Sequence, residues 1–99
     1  MPQITFAPAA IRDLQRLREF LRPNSAEAAL RAGEAIRRGV QILSAQPRMG
    51  RIIDDLPAQF REWPINFGDS GYLVRYQVSD DIVTILAIRH QKEAGYHPS

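Results

Sequence analysis

The chain has no cysteine among its 99 residues, which excludes a disulfide framework, a thiolate nucleophile and a thiolate-ligated metal. It has a single lysine, Lys92, a single tryptophan, Trp63, and only two histidines, His90 and His97. No apolar run approaches the roughly 18 residues that a membrane span requires. The N-terminus lacks a basic stretch followed by an apolar block, so no signal peptide is read. No repeat, low-complexity tract or long linker interrupts the sequence. The length suits one core and is too short for two. These absences lead to the expectation of one domain over residues 1–99, cytoplasmic and without membrane association.

What is present is an ordinary globular composition with unusual basic chemistry. A hydrophobic share of 44% and a charged share of 24% argue against wholesale disorder. The formal net charge is only +2, too little by itself to imply a nucleic-acid partner. Twelve of the thirteen basic residues are arginines, however, and arginine offers a permanently charged planar fork that matches carboxylates and phosphates. The first 47 residues hold seven arginines against Asp13, Glu19, Glu27 and Glu34, whereas the remainder is slightly acidic. The basic excess is therefore N-terminal, either a solvated helix surface laced with ion pairs or a site for an acidic partner.

Gln3-Ile4-Thr5-Phe6 alternates with β-prone residues and predicts a first strand. Pro8 suits the first position of a helix, where its missing N–H is no loss. Ile11, Leu14, Leu17 and Leu21 then form one apolar stripe, which Pro23 closes. Asn24 and Glu27 have capping-box spacing. Ala26, Ala29, Gly33, Ile36, Val40 and Leu43 make a second helical stripe, whose small residues predict a tight antiparallel hairpin. Glu27–Arg31 and Glu34–Arg38 are spaced to pair on its outer face. Pro47 and Gly50 end the helix and open a loop to about Pro57.

The rest reads as sheet. Phe60–Phe67 is a strand in which Pro64 requires an edge, a bulge or an interruption. Residues 68–71 (Gly-Asp-Ser-Gly) form a turn. Tyr72–Val78 is the clearest strand, and Ile82–Arg89 is apolar on both faces, as for a strand inside a sheet. The order βααβββ predicts an α+β fold, a helical hairpin on one face of a small, mainly antiparallel sheet.

Three local patterns accompany that order: Leu43-x-x-x-Pro47-x-x-Gly50-Arg51, then Gly71-Tyr72-Leu73-Val74-Arg75-Tyr76, then Ile85-Leu86-Ala87-Ile88-Arg89-His90 followed by Gln91-Lys92-Glu93. Together they resemble the RelE/ParE superfamily, the toxins of type II toxin–antitoxin systems, over nearly the whole chain. The G-R loop, the Y-L-V-x-Y strand and the I-R-H ending look more like the ParE branch, which includes plasmid-stabilisation proteins. The resemblance implies a cognate antitoxin whose extended, partly helical C-terminal segment wraps the toxin in a hetero-oligomeric complex. An acidic amphipathic segment of that kind would suit the arginine-rich hairpin. Leu14, Leu17, Ala29, Gly33 and Ile36 are its candidate contacts where core packing does not close them.

The two branches imply different chemistry. RelE-like toxins cut mRNA on the ribosome, which requires an activated 2′-OH, a stabilised phosphate and a protonated leaving oxygen. For that reading Arg61, Arg75, His90 and Tyr96 are the catalytic candidates. The preceding loop carries Arg48 and Arg51 but no lysine, and Glu93 stands where a basic residue is usual in RelE-like toxins. ParE-like toxins instead poison DNA gyrase and need a shaped surface, for which Arg61, Arg75, Arg89, His90, Lys92 and Glu93 are the candidates. The branch motifs favour gyrase poisoning, with mRNA cleavage as the alternative and a non-toxic interaction module that kept the fold as a third. His90 could move a proton for RNA cleavage, although a strand-end histidine bonded to backbone or solvent is the plainer reading. The His90-x6-His97 spacing fits no regular metal pattern, so neither metal nor cofactor is expected. Trp63 is read as a packed core aromatic by default, with a contact for gyrase or antitoxin as the alternative. Tyr72 and Tyr76 share one strand face beneath the hairpin, leaving Arg75 exposed on the other.

Overall fold

Pro8 opens the first helix behind an extended Ala7, and the chain between Pro23 and Ser25 turns it back on itself. A computed structural model describes residues 2–97 in the order β1 (Gln3–Phe6), α1 (Pro8–Leu21), α2 (Ala26–Ala45), β2 (Arg51–Ile52), β3 (Phe60–Phe67), β4 (Ser70–Ser79) and β5 (Ile82–His90). The five strands lie in the order β1-β5-β4-β3-β2. The β1–β5 pair is parallel and the other three pairs are antiparallel. The expected fold is therefore present, with one addition: Arg51–Ile52 pairs with Arg61–Glu62 as a two-residue strand inside the stretch read as loop. Beyond that pairing β3 is an edge, which is how it accommodates Pro64.

Both helices cover one face of the sheet. Leu17, Ala32, Ile36, Val40 and Leu43 pack against Tyr72, Val74, Tyr76, Val78, Val83, Ile85 and Ile88. The small residues of α2 bring it close to β3. A Cβ added to Gly39 would lie 2.6 Å from the Ile65 side chain, and the Trp63 Nε1–H donates to the Gly39 carbonyl at 3.0 Å. Trp63 is thus a half-buried anchor between α2 and β3, as the aromatic reading expected. Two local expectations change. Ser25, rather than Asn24, caps α2 by accepting the Ala28 N–H at 3.0 Å, because Asn24 still belongs to the turn that closes α1. Ala26 is exposed at the helix start, and Ala32 fills the buried stripe instead.

A bulge in β5 governs the site. Arg75 pairs with Ala87 while Tyr76 pairs with Ile85, so Leu86 is the extra residue. Strict alternation from Val83 and Ile85 would turn Arg89 beneath the hairpin. The bulge resets the phase: Ile88 and His90 face the helices, and Ala87 and Arg89 face the other side. That second face bears no helix, so Leu86 and Ala87 are half-buried rather than enclosed. No described helix is long and apolar enough to cross a membrane.

Candidate functional site

The helix-free face gathers Arg75, Arg89, Glu62 and Tyr96. Glu62 is opposite Arg75 in the β3–β4 ladder, and Arg75 is opposite Ala87, two residues from Arg89. After β5 the chain turns over this face, so that the Arg75 guanidinium lies 4.6 Å and the Arg89 guanidinium 5.3 Å from the centre of the Tyr96 ring. Both distances are within the range of cation–π attraction. The Tyr96 hydroxyl donates to the Glu62 carboxylate at 2.8 Å, and Arg51 pairs with the same carboxylate from β2. Burial pushes the Glu62 acid up, but the hydrogen bonds from Arg51 and Tyr96 and the charges of Arg51 and Arg75 outweigh it and hold the group below its ordinary value. Burial and the Glu62 carboxylate drive the Tyr96 phenol far above its ordinary value. Tyr96 is therefore held as a protonated donor. The Nε atoms of Arg75 and Arg89 are buried without a hydrogen-bond partner among the described residues.

The helix-side face holds the other candidates. Arg61, opposite Tyr76, donates to the carbonyls of Arg48 at 3.1 Å and Gly50 at 2.9 Å. Tyr76 is fully buried and its hydroxyl latches the same loop, donating to the Pro47 carbonyl at 2.7 Å and accepting the Gly50 N–H at 2.9 Å. A side chain at Gly50 would meet the Tyr76 hydroxyl at 2.6 Å and the Glu62 carbonyl at 2.8 Å. The Pro47-x-x-Gly50 pattern and the second tyrosine of β4 are thus one device.

His90 stands edge-on to Tyr72 with ring centres 5.4 Å apart. Its Nδ1 accepts the Lys92 N–H at 3.1 Å, so in the neutral ring the proton is on Nε2, which faces the Ser70 hydroxyl at 2.9 Å. In that tautomer His90 donates to Ser70 and cannot take its proton, so the pair is not an activated nucleophile. Both residues line a groove of about 1000 Å³, together with Leu17, Phe20, Phe67 and Tyr72. Glu93 also lines it. Its carboxylate accepts Arg16 at 2.7 Å, the His90 N–H at 2.8 Å and pairs with His97 at 2.7 Å. Glu93 is turned toward α1, and its carboxylate is engaged by Arg16. Lys92 is exposed.

The structure therefore unites Arg75, Arg89 and Tyr96, and separates them from Arg61 and His90 by the thickness of the sheet. Glu62 was not singled out from the sequence. Its signal was a carboxylate in register with Arg75, which only the strand pairing reveals. The antitoxin candidates are also redistributed. Leu17, Ala29, Gly33 and Ile36 are buried by the packing of the hairpin, and Leu14 is partly buried against the core. These side chains are closed, because the small residues that let the helices approach disappear between them.

Comparison with known proteins places this arrangement. Residues 4–95 match the family model for the ParE toxin of the type II toxin–antitoxin system, parDE. Toxin RelE3 of Caulobacter vibrioides is 34% identical over 93 residues, covering 94% of this chain and 98% of that protein. The fold is shared with a chain of the chromosomal ParDE TA system from P. aeruginosa, with a TM-score of 0.71 at 18% identity, over 91% of this chain and 96% of the other. The chain belongs to the ParE toxin family, within the ParE/RelE superfamily of type II toxin–antitoxin toxins.

Proposed function

We propose that this toxin poisons DNA gyrase in the cytoplasm rather than cutting mRNA, and that a cognate antitoxin neutralises it in a toxin–antitoxin complex. The observation that supports this reading is the division of the four RNase candidates between two faces. Cleavage needs a proton acceptor, a charge stabiliser and a proton donor around one phosphate. Arg75 and Tyr96 are on the helix-free face, while Arg61 and His90 are on the other and engaged by carbonyls and Ser70. Among the described residues the only carboxylate bonded to Tyr96, Glu62, is also paired with Arg51. A gyrase poison needs a binding surface instead, which Arg75, Arg89 and Lys92 supply at the C-terminal end of the sheet, with His90 and Glu93 beside them.

The antitoxin surface is assigned to apolar side chains that the hairpin leaves outside: Ile11 at 46%, Phe20 at 77% and Leu30 at 75% exposure. These replace the closed residues of the two stripes. Phe20 also lines the groove beside His90, which continues this surface.

The second reading, ribosome-dependent mRNA cleavage, draws on the name of the 34% identical relative, a RelE toxin, and on the Arg75–Tyr96–Arg89 stack. Controlled expression without antitoxin, with pulse labelling of DNA and protein synthesis within minutes, separates the two. Early loss of DNA synthesis with translation intact is expected. Early loss of translation overturns the gyrase reading, and no effect on either favours a non-toxic relative.

A further inference from the structure

The segment after β5 is short, polar and lacks regular structure, yet it makes specific contacts on both sides of the sheet. At its start, the Glu93 carboxylate is fastened to Arg16 of α1 and to the His90 N–H. Arg89 donates to the carbonyls of His90 at 3.3 Å, Gln91 at 3.4 Å and Glu93 at 2.7 Å, binding the turn to the strand from which it leaves. At its end, Tyr96 is stacked by two guanidiniums and hydrogen-bonded to Glu62. The chain thus passes from the helix side, around the end of β5, to the helix-free face.

We propose that residues 91–97 form a strap that closes over Arg75 and Arg89, so that the free toxin keeps its own arginine pair covered until the strap opens. The hinge end is the Glu93 cluster, and the releasable end is Tyr96. The contacts at the releasable end involve one ring and one hydroxyl, with no backbone ladder, which is the construction of a segment that opens locally while the domain stays folded. The buried Nε atoms of Arg75 and Arg89 have no partner among the described residues in the closed state. An unmade hydrogen bond of a charged group is costly in a buried position, and opening would return both to water. The inference rests on the target reading only for its consequence, since Arg75 and Arg89 are among the side chains assigned to the target.

The test is the rate at which phenylglyoxal, which attacks accessible guanidinium groups, modifies individual arginines of the purified full-length chain, read by mass spectrometry. Arg75 and Arg89 are expected to react at least about tenfold more slowly than the exposed Arg12, because only the open fraction is attacked. Tyr96→Ala should bring Arg75 close to the Arg12 rate and speed Arg89 by less, since Arg89 keeps its carbonyl partners at the hinge, and Tyr96→Phe, which keeps the ring but loses the Glu62 bond, should lie between. Equal protection of Arg75 and Arg89 in wild type and in folded Tyr96→Ala overturns the strap. Should Tyr96→Ala unfold, the wild type and Tyr96→Phe decide: parity of Arg75 with Arg12 in the wild type, or no acceleration in Tyr96→Phe, likewise overturns it. The measurement involves neither gyrase nor growth, so closure stands or falls separately from the target reading.

Discussion

The Asp13 carboxylate on α1 accepts the backbone N–H of Ile88 on β5 at 2.9 Å. β1 pairs with β5 only as far as Phe6–Ile85, so beyond the bulge the edge of β5 has lost its neighbour. Asp13 supplies the missing acceptor, and Arg16, one turn along, donates to the Ile88 carbonyl at 3.4 Å and to Asp13 at 3.3 Å. Two side chains of a helix thereby stand in for a strand. Asp13 is 5% exposed, which a carboxylate tolerates only when its oxygens are paired.

Asp13→Ala should therefore destabilise the fold by about 2–3 kcal/mol, chiefly the cost of leaving a buried N–H without its acceptor, since Arg16 keeps Glu93 and the Ile88 carbonyl. Asp13→Asn keeps an acceptor oxygen and should lose roughly half as much. Chemical denaturation of the three proteins checks the order. Equal stability of Asp13→Ala and wild type would show that the edge of β5 is satisfied by water instead.

Tyr76→Phe should cost about 1–3 kcal/mol, since it leaves the Pro47 carbonyl and the Gly50 N–H facing an apolar ring. Gly50→Ala should be at least as damaging, because the new methyl would meet the Glu62 carbonyl, which is backbone and cannot swing away. The two should be far from additive when combined, as they disturb one latch. A double-mutant cycle by denaturant melts measures this.

How much of this was legible from the residues depends on which period carried the information. The helical stripes and the β4 alternation foretold the hairpin, the buried tyrosines and the face on which Arg75 stands, because burial imposes those periods directly, but Arg75 is half-buried against Tyr96 rather than exposed. The two-residue β2 was too short to leave a pattern. The Leu86 bulge lies within a run apolar on both faces, where a change of phase leaves no mark, and it alone decides that Arg89 joins Arg75 while His90 does not. Asp13 and Glu62 read as ordinary surface charges, since their partners are a backbone N–H and a cross-strand arginine far away in sequence.

Stability should fall toward both ends of the pH range. Glu62 and Glu93 have depressed pKa values in the fold, so their stabilisation is present above the ordinary value of 4.5 and is lost as pH falls through the folded values. Tyr96 is raised, so its contribution is complete below its ordinary value of 10.0 and is lost only as pH rises beyond it toward the folded value. Glu62→Gln should flatten the acid limb, and Tyr96→Phe the alkaline one. Melting temperatures measured from pH 3 to 11, at roughly unit steps around these constants, test the assignment. An unchanged acid limb in Glu62→Gln would remove Glu62 from it.

Phe20→Asp and Leu30→Glu should each weaken antitoxin binding by about tenfold or more if they are interface anchors. Both side chains are largely exposed in the free toxin, so the substitutions should leave its own stability within about 0.5 kcal/mol. Titration calorimetry with the cognate antitoxin, beside melts of the toxin alone, separates the two effects. Full affinity in both variants would move the antitoxin to another face.

Charge reversal of Arg89 together with Lys92 should abolish toxicity in a folded protein. The two differ in what they hold. Lys92 is exposed, so Lys92→Glu alone should leave stability within about 0.5 kcal/mol. Arg89 binds two carbonyls of the strap, those of Gln91 and Glu93, beside that of His90, so Arg89→Glu should also loosen residues 91–97 while the core, which it does not enter, survives. Growth in cells expressing the double variant without antitoxin, with circular dichroism and a cooperative melt of the purified chain, reads both consequences. Growth arrest by the folded double variant would remove the C-terminal end of the sheet from the toxic surface. Lost arrest with Lys92→Glu alone would identify direct contact with the target, since that exposed side chain holds no partner among the described residues.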